Sequence, residues 1–517
     1  MSRSAVLAVV GVVTGAALVV GALAIIVNTN GAAPVAETAA TVIPAPVSRT
    51  DGEVAFVLGL TSSIGANGEA SPIGEYLASV LRGSTGLPLP VVDAGTISLT
   101  IEPGHPDGGY ELRVTVSGIL LTASEPAGLF WGVQTLRQLL PPTPSGIIAI
   151  AVTTIKDYPR FAYRGAMLDV ARHFFGVDDV KRYIDDIALL KLNVLHLHLT
   201  DDQGWRLEID GWPRLTQVGA STQVGGGGGG FYTQDDYREL VEYGASRHVT
   251  IVPEIDMPGH TNAALSAYPE LTCDGVAPAP YEGIEVGFSS LCVDNERTYE
   301  FIADALGQLA AITRGPWIHI GGDEAHSTSD ADYLRFMERA SAIAGSFGKT
   351  IIGWHEMGRS DALPPGAIGQ YWGYTTPEGD SADLARAFVD DGLVLMSPAD
   401  VAYLDMKYDA LSPLGLVWAN GPTSVEESYL WDPAEIIPGV GEAELLGVEA
   451  PLWTETIETI DDIERMAFPR IASIAEIAWS PKAPRDFADF APRLAAFGAH
   501  LDALGVRYHR AQGVPWR

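Results

Sequence analysis

The sequence predicts an α/β protein in which a (β/α)8 TIM barrel follows a small α+β domain. Beyond the segment KDYPRF at residues 156–161, short apolar segments alternate with amphipathic helical segments in eight successive units. Charged or aromatic residues stand at the end of each of the eight predicted strands. The chain has 517 residues, 47% of them hydrophobic, which is enough material for two or three domains with large cores.

The N-terminal segment is predicted to direct export. Residues 5–27 contain no charged residue, follow Arg3, and are long enough to span a bilayer. Small residues come next, as they do after a signal peptide. We therefore expect residues 1–30 to be a signal peptide or an N-terminal membrane anchor, with the rest secreted or held at the outer face of the membrane. Residues 31–50, rich in Ala, Thr and Pro, are predicted to be a linker.

The charge balance argues against one class of partner. The chain carries 65 acidic and 32 basic residues, a formal net charge of −33. A surface of this sign is solvated well and is repelled by phosphate backbones. We therefore expect no nucleic-acid partner.

Residues 51–158 are predicted to form the small α+β domain. Segments 53–60 and 110–123 have the patterns of strands, and segments 71–86 and 125–140 have the apolar spacing of helices. No group of side chains in this domain suggests a chemical reaction.

Residues 159–480 are predicted to form the catalytic barrel. Its eight predicted strands are 163–170, 194–200, 250–256, 317–324, 350–356, 367–373, 393–398 and 445–455. The clearest helical segments between them are 178–192, 233–248 and 297–312. Residues 481–517 are predicted to be a C-terminal helical segment packed on the barrel, with a helix over 486–505.

The chain contains two cysteines, Cys273 and Cys292. A nearby pair in an exported chain predicts one disulfide. The bond would close a loop of about 20 residues and stabilise the fold by roughly 3 kcal/mol in the chain-entropy model. The alternative is a pair of free buried thiols.

Polar and aromatic residues are concentrated at the predicted strand ends, where barrel enzymes carry their active sites. In chain order they are Asp169, Arg172, Asp201, Asp202, Glu254, Asp256, His260, Asp323, Glu324, Trp354, His355, Glu356, Trp372, Tyr403, Asp405, Trp453 and Glu455. Tryptophans stack on sugar rings, and carboxylates with an arginine bind hydroxyls through charge-assisted hydrogen bonds. The pattern therefore indicates carbohydrate chemistry. Glu324 is a candidate general acid, which requires a raised pKa that crowding by Asp323 would favour.

Two other hypotheses remain open at this point. His196 and His198, in HLHLTDD, could be metal ligands of a metal-dependent hydrolase on the same barrel. Because they precede the strand end and no partnering lysine or paired histidines follow, they are better interpreted as hydrogen-bonded residues of the barrel interior. The second alternative is a non-enzymatic sugar-binding protein, although binding alone does not need a general acid such as Glu324.

Five motifs carry a family resemblance that covers about residues 50–510. RGAMLDVARHFF, KLNVLHLHLTDDQGWRLEI, VPEIDMPGHTNAAL, HIGGDEAH and PLWTET stand in order on the predicted strands. Together they resemble the exo-β-N-acetylhexosaminidases of glycoside hydrolase family 20. The resemblance implies a retaining, substrate-assisted mechanism in which the 2-acetamido group of the substrate is the nucleophile. Glu324 would then be the acid/base, and Asp323 would orient the acetamido group and stabilise an oxazolinium-like intermediate.

The resemblance also implies roles for residues around this pair. Tyr403 would donate a hydrogen bond to the acetamido oxygen, and Asp201 and His260 would support Glu324. The other implied substrate-binding residues are Trp354, Trp372 and Trp453 around the methyl group, Arg172, Asp405 and Glu455 at the hydroxyls, and Trp418. The implied substrate is a saccharide or glycan that ends in GlcNAc or GalNAc. The resemblance implies neither a metal nor an organic cofactor.

Overall fold

The computed structural model of the chain describes residues 33–34, 41–143, 148–482 and 485–516. The apolar segment 5–27, predicted as a signal peptide or anchor, lies outside these residues. Among the residues described, no helix is both long and apolar enough to cross a bilayer.

The N-terminal domain is a mixed sheet with two helices packed against it. The strands are β1 (Ala33–Pro34), β2 (Ser48–Leu58), β3 (Ile64–Gly65), β4 (Val91–Val92), β5 (Ile97–Ile101), β6 (Tyr110–Thr115), β7 (Gly118–Ala123) and β8 (Ile148–Asp157), and the helices are α1 (Ser71–Thr85) and α2 (Pro126–Leu139). Within the described residues the strand order is β1-β2-β8-β6-β7-β5-β3-β4. Helix α1 ends at Gly86, whose φ of 69° provides the left-handed conformation that closes a helix.

The predicted linker is shorter than the sequence suggested. Val42 and Ile43 are buried in the core, and Ile43 exchanges two backbone hydrogen bonds with the side chain of Gln138 on α2. Strand β2 begins at Ser48. The prediction that the linker runs to residue 50 was therefore wrong, because one apolar pair within an Ala- and Pro-rich segment suffices to anchor it.

The second domain is a closed barrel of eight parallel strands in the described part of the chain, as predicted. The strands are β9 (Tyr163–Asp169), β10 (Val194–His198), β11 (Thr250–Glu254), β12 (Trp317–His319), β13 (Thr350–Trp354), β14 (Ile368–Tyr371), β15 (Leu393–Met396) and β16 (Leu445–Leu452). Strand β16 pairs with β9 and closes the barrel.

Helices connect the strands along the outside. They are α3 (Val177–Leu189), α4 (Arg214–Gln217), α5 (Gln234–Ser246), α6 (Asn262–Ala267), α7 (Glu296–Ile312), α8 (Asp330–Gly345), α9 (Ser381–Arg386), α10 (Ala399–Ala402), α11 (Ile460–Ala467) and α12 (Arg470–Trp479), followed by α13 (Phe487–Leu504). Arg493 on α13 forms an ion pair with Glu476 on α12, and Phe490 stacks on Tyr429. The last helix therefore packs against the barrel shell.

One layer of the barrel interior is polar. His196, His319, Gln370 and Glu449 come from alternate strands and are fully buried. His196 Nδ1 lies 3.0 Å from Glu449 Oε1, and Gln370 Nε2 donates to the same oxygen at 2.7 Å. The rings of His196 and His319 are 4.6 Å apart. The layer fills a space that branched apolar residues occupy in other barrels. His196 Nε2, His319 Nε2 and Gln370 Oε1 are buried there without a hydrogen-bond partner in the described part of the chain.

A buried ion pair joins the two domains. Lys191, between α3 and β10, donates to Asp157 Oδ2 at 2.8 Å and to the hydroxyl of Tyr110 at 3.0 Å. The indole of Trp479 donates to Asp157 Oδ1 at 3.0 Å. Both charged side chains are completely buried, so each depends on these partners.

The two cysteines form the predicted disulfide. The Cys273–Cys292 bond closes the loop between α6 and α7. We refer to residues 273–292 as the disulfide loop.

Candidate active site

A pocket of about 310 Å³ opens at the carboxyl ends of the barrel strands. Its lining includes Arg172, His260, Asp323, Glu324, Trp354, Trp372, Tyr403, Trp418, Trp453 and Glu455. Asp405 does not line the pocket; it is buried, and both of its carboxylate oxygens lack a hydrogen-bond partner. The structure thus brings ten of the sequence-predicted residues to one cavity and places Asp405 outside its lining.

Aromatic side chains form the deep walls of the pocket. Trp354 is 1% exposed, and its ring centroid is 5.9 Å from that of Trp453. Tyr403 is 6.3 Å from Trp453 and 5.7 Å from Trp418, between ring centroids. Trp418 is 44% exposed and stands at the mouth. These walls enclose a small space that suits an apolar group.

Two of the indoles are held by buried carboxylates. Trp354 Nε1 donates to Glu254 Oε1 at 3.1 Å, and Trp372 Nε1 donates to Glu356 Oε2 at 3.0 Å. The sequence placed both glutamates at strand ends but gave no indication of these contacts. One sequence signal could have suggested the contact between Trp372 and Glu356. Glu356 stands two residues after Trp354, and Trp372 follows the next strand.

The neighbouring carboxylates lie on a loop rather than on a strand. The sequence predicted a strand over 317–324, but β12 ends at His319. Gly321 has φ of 66°, and a Cβ there would lie 1.6 Å from Asp256 Oδ1. The strand therefore ends early, because the chain turns tightly around Asp256 before it reaches the acidic pair.

This turn separates the surroundings of the two carboxyl groups. Asp323 is buried with one unpartnered oxygen, whereas the side chain of Glu324 is 27% exposed. Glu324 has φ of 44°, in the left-handed region that non-glycine residues rarely occupy. Backbone conformations of this kind are concentrated at functional sites.

A chain of hydrogen-bonding groups runs from the barrel interior to Glu324. His198 Nε2 lies 2.8 Å from Asp201 Oδ2, and His260 Nδ1 lies 3.2 Å from Asp201 Oδ1. The other nitrogen of His260 is 3.5 Å from Glu324 and 3.6 Å from Asp323. Arg172 forms an ion pair with Asp201 at 2.9 Å. Asp201 and His260 therefore stand where the sequence analysis expected support for Glu324.

The charges of these hydrogen-bonded groups determine whether Asp323 and Glu324 are protonated. Burial disfavours the imidazolium form of His260, but Asp201 and Asp323 outweigh it and raise the pKa of His260 well above its ordinary value. Burial favours the neutral acid of Glu324 as well, yet the hydrogen bond and charge of His260 bring its pKa below the usual range. Burial, together with the charges of Glu356 and Glu324, raises the pKa of Asp323 to about 7 against the influence of His260.

The expected raised pKa therefore belongs to Asp323 and not to Glu324. The two carboxyl groups differ in their exposure to solvent. Glu324 faces both solvent and the His260 cation, whereas Asp323 is enclosed among other carboxylates.

His196 and His198 occupy the positions that the sequence analysis favoured. Both are fully buried and hydrogen-bond to carboxylates, with Glu254 shared between them and His319. His196, Glu254 and His319 lie close enough to act together as metal ligands. However, Glu254 already accepts from the Trp354 indole, and these three histidines compete for its oxygens. Their geometry fits a hydrogen-bonded core better than an open ligand set.

The disulfide loop also contributes to the pocket, which the sequence did not predict. Ile284 and Val286 line the mouth and are 49% and 39% exposed. Two exposed branched residues between cysteines have no periodicity that would mark them. Their exposure, seen only in the folded chain, is the informative feature.

Acidic side chains, an arginine and aromatic walls at the carboxyl end of a parallel barrel are the features of an enzyme that cleaves sugars. By class, the molecule is a glycoside hydrolase.

Comparison with known proteins identifies the family. The model described as "Glycosyl hydrolase family 20, catalytic domain" matches residues 161–482, and the model for domain 2 of the same family matches residues 39–158. The chain belongs to glycosyl hydrolase family 20, the β-hexosaminidase family.

Individual relatives are similar over nearly the whole chain. A Beta-N-acetylhexosaminidase from Cellulomonas fimi is 41% identical and is matched over 92% of this chain and 97% of its own length. The structure of Streptomyces plicatus N-acetyl-beta-hexosaminidase in complex with Thio-NAglucal is 50% identical, with a TM-score of 0.90 over 92% of this chain and 97% of that one. The family 20 enzyme of Streptomyces coelicolor A3(2) is 50% identical, with a TM-score of 0.90 over 93% and 99%.

Proposed function

We propose that the enzyme removes terminal, non-reducing β-linked GlcNAc or GalNAc residues with retention of configuration, using the acetamido group of the substrate as nucleophile. One observation carries this proposal: the aromatic-walled space lies directly beside Asp323. An apolar enclosure next to a carboxylate matches an acetamido group, whose methyl is apolar and whose N–H is a donor. A bare hydroxyl at that position would leave the enclosure unused.

The reaction then proceeds in two steps. The acetamido oxygen attacks the anomeric carbon while the bond to the leaving oxygen breaks, and Glu324 gives its proton to that oxygen. The product of this step is a bicyclic oxazolinium-like intermediate. Water then attacks the anomeric carbon and Glu324 accepts its proton, which restores the acetamido group.

Asp323 acts on the acetamido group throughout. Its carboxylate would accept the N–H hydrogen bond and offset the positive charge that develops on the ring. A cation beside Asp323 lowers the pKa of this carboxyl group from about 7, so the carboxylate is ionised when the charge appears. Glu324 needs the opposite change. A bound sugar would reduce its contact with water and favour the neutral acid.

Unpartnered polar atoms around the pocket suit the hydroxyl groups of a sugar. Arg172 and Glu455 line the pocket, and Arg172 Nε and Glu455 Oε2 are buried without a hydrogen-bond partner among the described residues. Buried polar atoms are rarely left in this state, so a ligand is the expected partner. The Arg172 guanidinium also lies 4.7 Å from the ring centroid of Trp453, which fixes its position. Groups that hold the outer hydroxyls favour exo action on single terminal residues.

Matched aryl substrates test this proposal. The β-GlcNAc and β-GalNAc glycosides should be hydrolysed, while the β-glucoside, which lacks the acetamido group, should be essentially inert. A thiazoline mimic of the intermediate should inhibit strongly, because it resembles the state that the pocket stabilises. Trapping a covalent glycosyl-enzyme on a carboxylate would refute the substrate-assisted mechanism. Loss of activity on chelation would favour the metal-dependent alternative.

We propose also that the protein is exported. The charge-free segment 5–27 supports this, and so does the Cys273–Cys292 bond, since disulfides persist in oxidising compartments. Fractionation of the producing cells should find the activity outside the cytoplasm. Full activity in the cytoplasmic fraction, with both thiols free to alkylation, would contradict the proposal.

A further inference from the structure

Glu356 occupies a position behind the pocket for which the proposed mechanism has no role. It follows Trp354 and lies in the 3-10 turn His355–Arg359 that ends β13. Its side chain is 13% exposed and does not line the cavity, but its Oε2 accepts the indole N–H of Trp372, which does. Glu356 therefore acts on the pocket through Trp372.

The surroundings of Glu356 contain more negative than positive charge. The titratable and charged groups that face it are Asp323 and Glu324 after β12, Tyr333 on α8, Tyr403 after α10, and His355 and Arg359 in its own turn. Burial lowers the pKa of His355 to about 4, so this neighbour is neutral at neutral pH. Arg359 is 42% exposed and faces Asp330 on the surface. Burial, together with the charge of Glu324, raises the pKa of Glu356 to about 7 against the hydrogen bond from the Trp372 indole, which favours the carboxylate. Within the described residues, that indole is the side-chain donor to Glu356.

We propose that Glu356 is a positioning residue that fixes the Trp372 wall of the acetamido pocket and adds negative charge behind Asp323. The proposal rests on the proposed function, because it assigns Trp372 to the acetamido group. It involves two separable effects, one from the hydrogen bond and one from the charge.

The hydrogen bond determines where the indole stands. Trp372 is only partly buried, and its ring is 6.1 Å from Trp418 and 5.5 Å from His355, between centroids. These ring contacts are tilted or edge-on, and the hydrogen bond to Glu356 sets the direction of the indole N–H. A buried indole N–H normally has an acceptor, and a carboxylate is the strongest neutral-pH acceptor that a side chain offers.

The charge acts on the intermediate. A positive charge that forms beside Asp323 is stabilised by a second carboxylate nearby, and the effect is large in an enclosed site with little water. The same carboxylate raises the pKa of Asp323 and favours its protonated form, because two neighbouring negative charges repel. Glu356 therefore disfavours ionisation of Asp323 before the substrate binds. After binding, it stabilises the positively charged intermediate.

Glu254 holds Trp354 in a similar way but offers a poorer test. It also contacts His196, His198 and His319, so its replacement would disturb the barrel interior. Asp304 offers the matched control. It accepts the indole N–H of Trp212 at 2.9 Å on the outside of the barrel, far from the pocket lining.

The decisive experiment compares Glu356→Gln with Glu356→Ala. Glutamine keeps an acceptor oxygen for the indole and removes the charge, while alanine removes both. For an aryl β-GlcNAc substrate, we expect Glu356→Ala to raise KM about tenfold, the effect of one lost hydrogen bond to a charged group. We expect Glu356→Gln to keep KM near the wild-type value and to lower kcat about tenfold. Asp304→Asn should change neither constant.

Two further readouts distinguish positioning from a purely structural role. Glu356→Gln removes a charge that raises the pKa of Asp323, so the acid limb of the kcat/KM profile should move to lower pH. Glu356→Ala should also improve an N-butanoyl substrate relative to the N-acetyl one, because a released indole enlarges the pocket. In a Trp372→Phe background, Glu356→Gln should no longer be distinguishable from Glu356→Ala in KM.

Equal KM increases for the glutamine and alanine variants would overturn the hydrogen-bond assignment. Unchanged kcat, KM and pH profile, with only a lower Tm, would show that Glu356 is structural. If Glu356→Ala does not fold, Glu356→Gln still decides the question through kcat and the pH profile. Failure of the proposed function would appear separately, as rapid hydrolysis of the aryl β-glucoside by the wild-type enzyme.

Discussion

At the scale of single residues, Glu324 is tested by the leaving group. Glu324→Gln should lose most activity on substrates with poor leaving groups and much less on activated aryl glycosides. General acid catalysis contributes roughly 10²–10⁴-fold, and a good leaving group needs less of it. The measurement compares kcat/KM of the variant and the wild type on an alkyl glycoside and on a nitrophenyl glycoside. Equal losses on both would remove Glu324 from the acid role.

Asp323 is tested by its effect on the transition state. Asp323→Asn should reduce kcat more than KM on N-acetyl substrates, because a neutral amide stabilises the developing positive charge poorly. Steady-state kinetics on aryl β-GlcNAc give both constants. If Asp323 served only to shape the loop, the folded variant would keep its kcat and lose stability.

Asp323 also makes the stability of the fold depend on pH. Its pKa is about 7 in the folded protein and about 3.9 in an unfolded chain, so between these values the folded state holds the proton more tightly. This contribution to stability is complete below pH 4 and is lost as the pH rises through 7. The Tm of Asp323→Asn minus that of the wild type should therefore increase from pH 4 to pH 8. A difference that stays constant across this range would contradict the assigned pKa.

At the scale of elements, the disulfide loop links stability to the mouth of the pocket. Replacing both Cys273 and Cys292 by serine should lower the free energy of unfolding by roughly 3 kcal/mol in the chain-entropy model. Because Ile284 and Val286 line the mouth from this loop, KM for oligosaccharides should rise more than KM for small aryl glycosides. Denaturant titration and kinetics on both substrates measure the two effects. Ser290→Ala, a substitution in the same loop, is the matched control.

Elements with a long apolar pattern could be predicted from the sequence, and elements defined by distant contacts could not. The barrel strands and helix α1 were recognised because their periodicity is local, and Gly86 marks the end of α1. Strand β12 was predicted too long, since only the contact between Gly321 and Asp256 shows why it ends at His319. Strands β5 and β8 of the N-terminal sheet were missed. Strand β8 is held in the sheet by β2, almost 100 residues earlier in the chain, and such a distant pairing leaves no local pattern.

The difference between local patterns and distant contacts also applies to the active-site residues. The pocket-lining residues could be named because strand ends of a barrel converge, whichever loops follow them. The pKa order of Asp323 and Glu324 could not be predicted, because it depends on how far each carboxyl group is buried and on the other carboxylates around Asp323. The linker prediction was wrong for a similar reason, since Val42 and Ile43 are buried only by the domain they reach.

At the scale of the whole molecule, the Lys191–Asp157 pair tests how the domains are joined. Lys191→Met should destabilise the protein by about 3–5 kcal/mol, because it leaves Asp157 as a buried charge without its cation. Both residues are remote from the pocket, so kcat and KM of the folded variant should not change. Asp157→Asn in the same chain should recover part of the loss. A variant as stable as the wild type would show that the pair contributes no net stability.

The pocket opens at the carboxyl ends of the barrel strands, and the buried Trp354 forms part of its inner wall. Because Trp354 is buried at the inner wall, we expect a released monosaccharide to leave through the mouth by which it entered. On the proposed exo action, the shortened chain occupies that mouth after each cut and must depart first. We therefore expect the enzyme to be distributive, so that every chain in a mixture loses one sugar before any chain loses many. Early time points on a uniform oligosaccharide should show a ladder of lengths one residue apart, and not a mixture of intact chains and fully degraded ones.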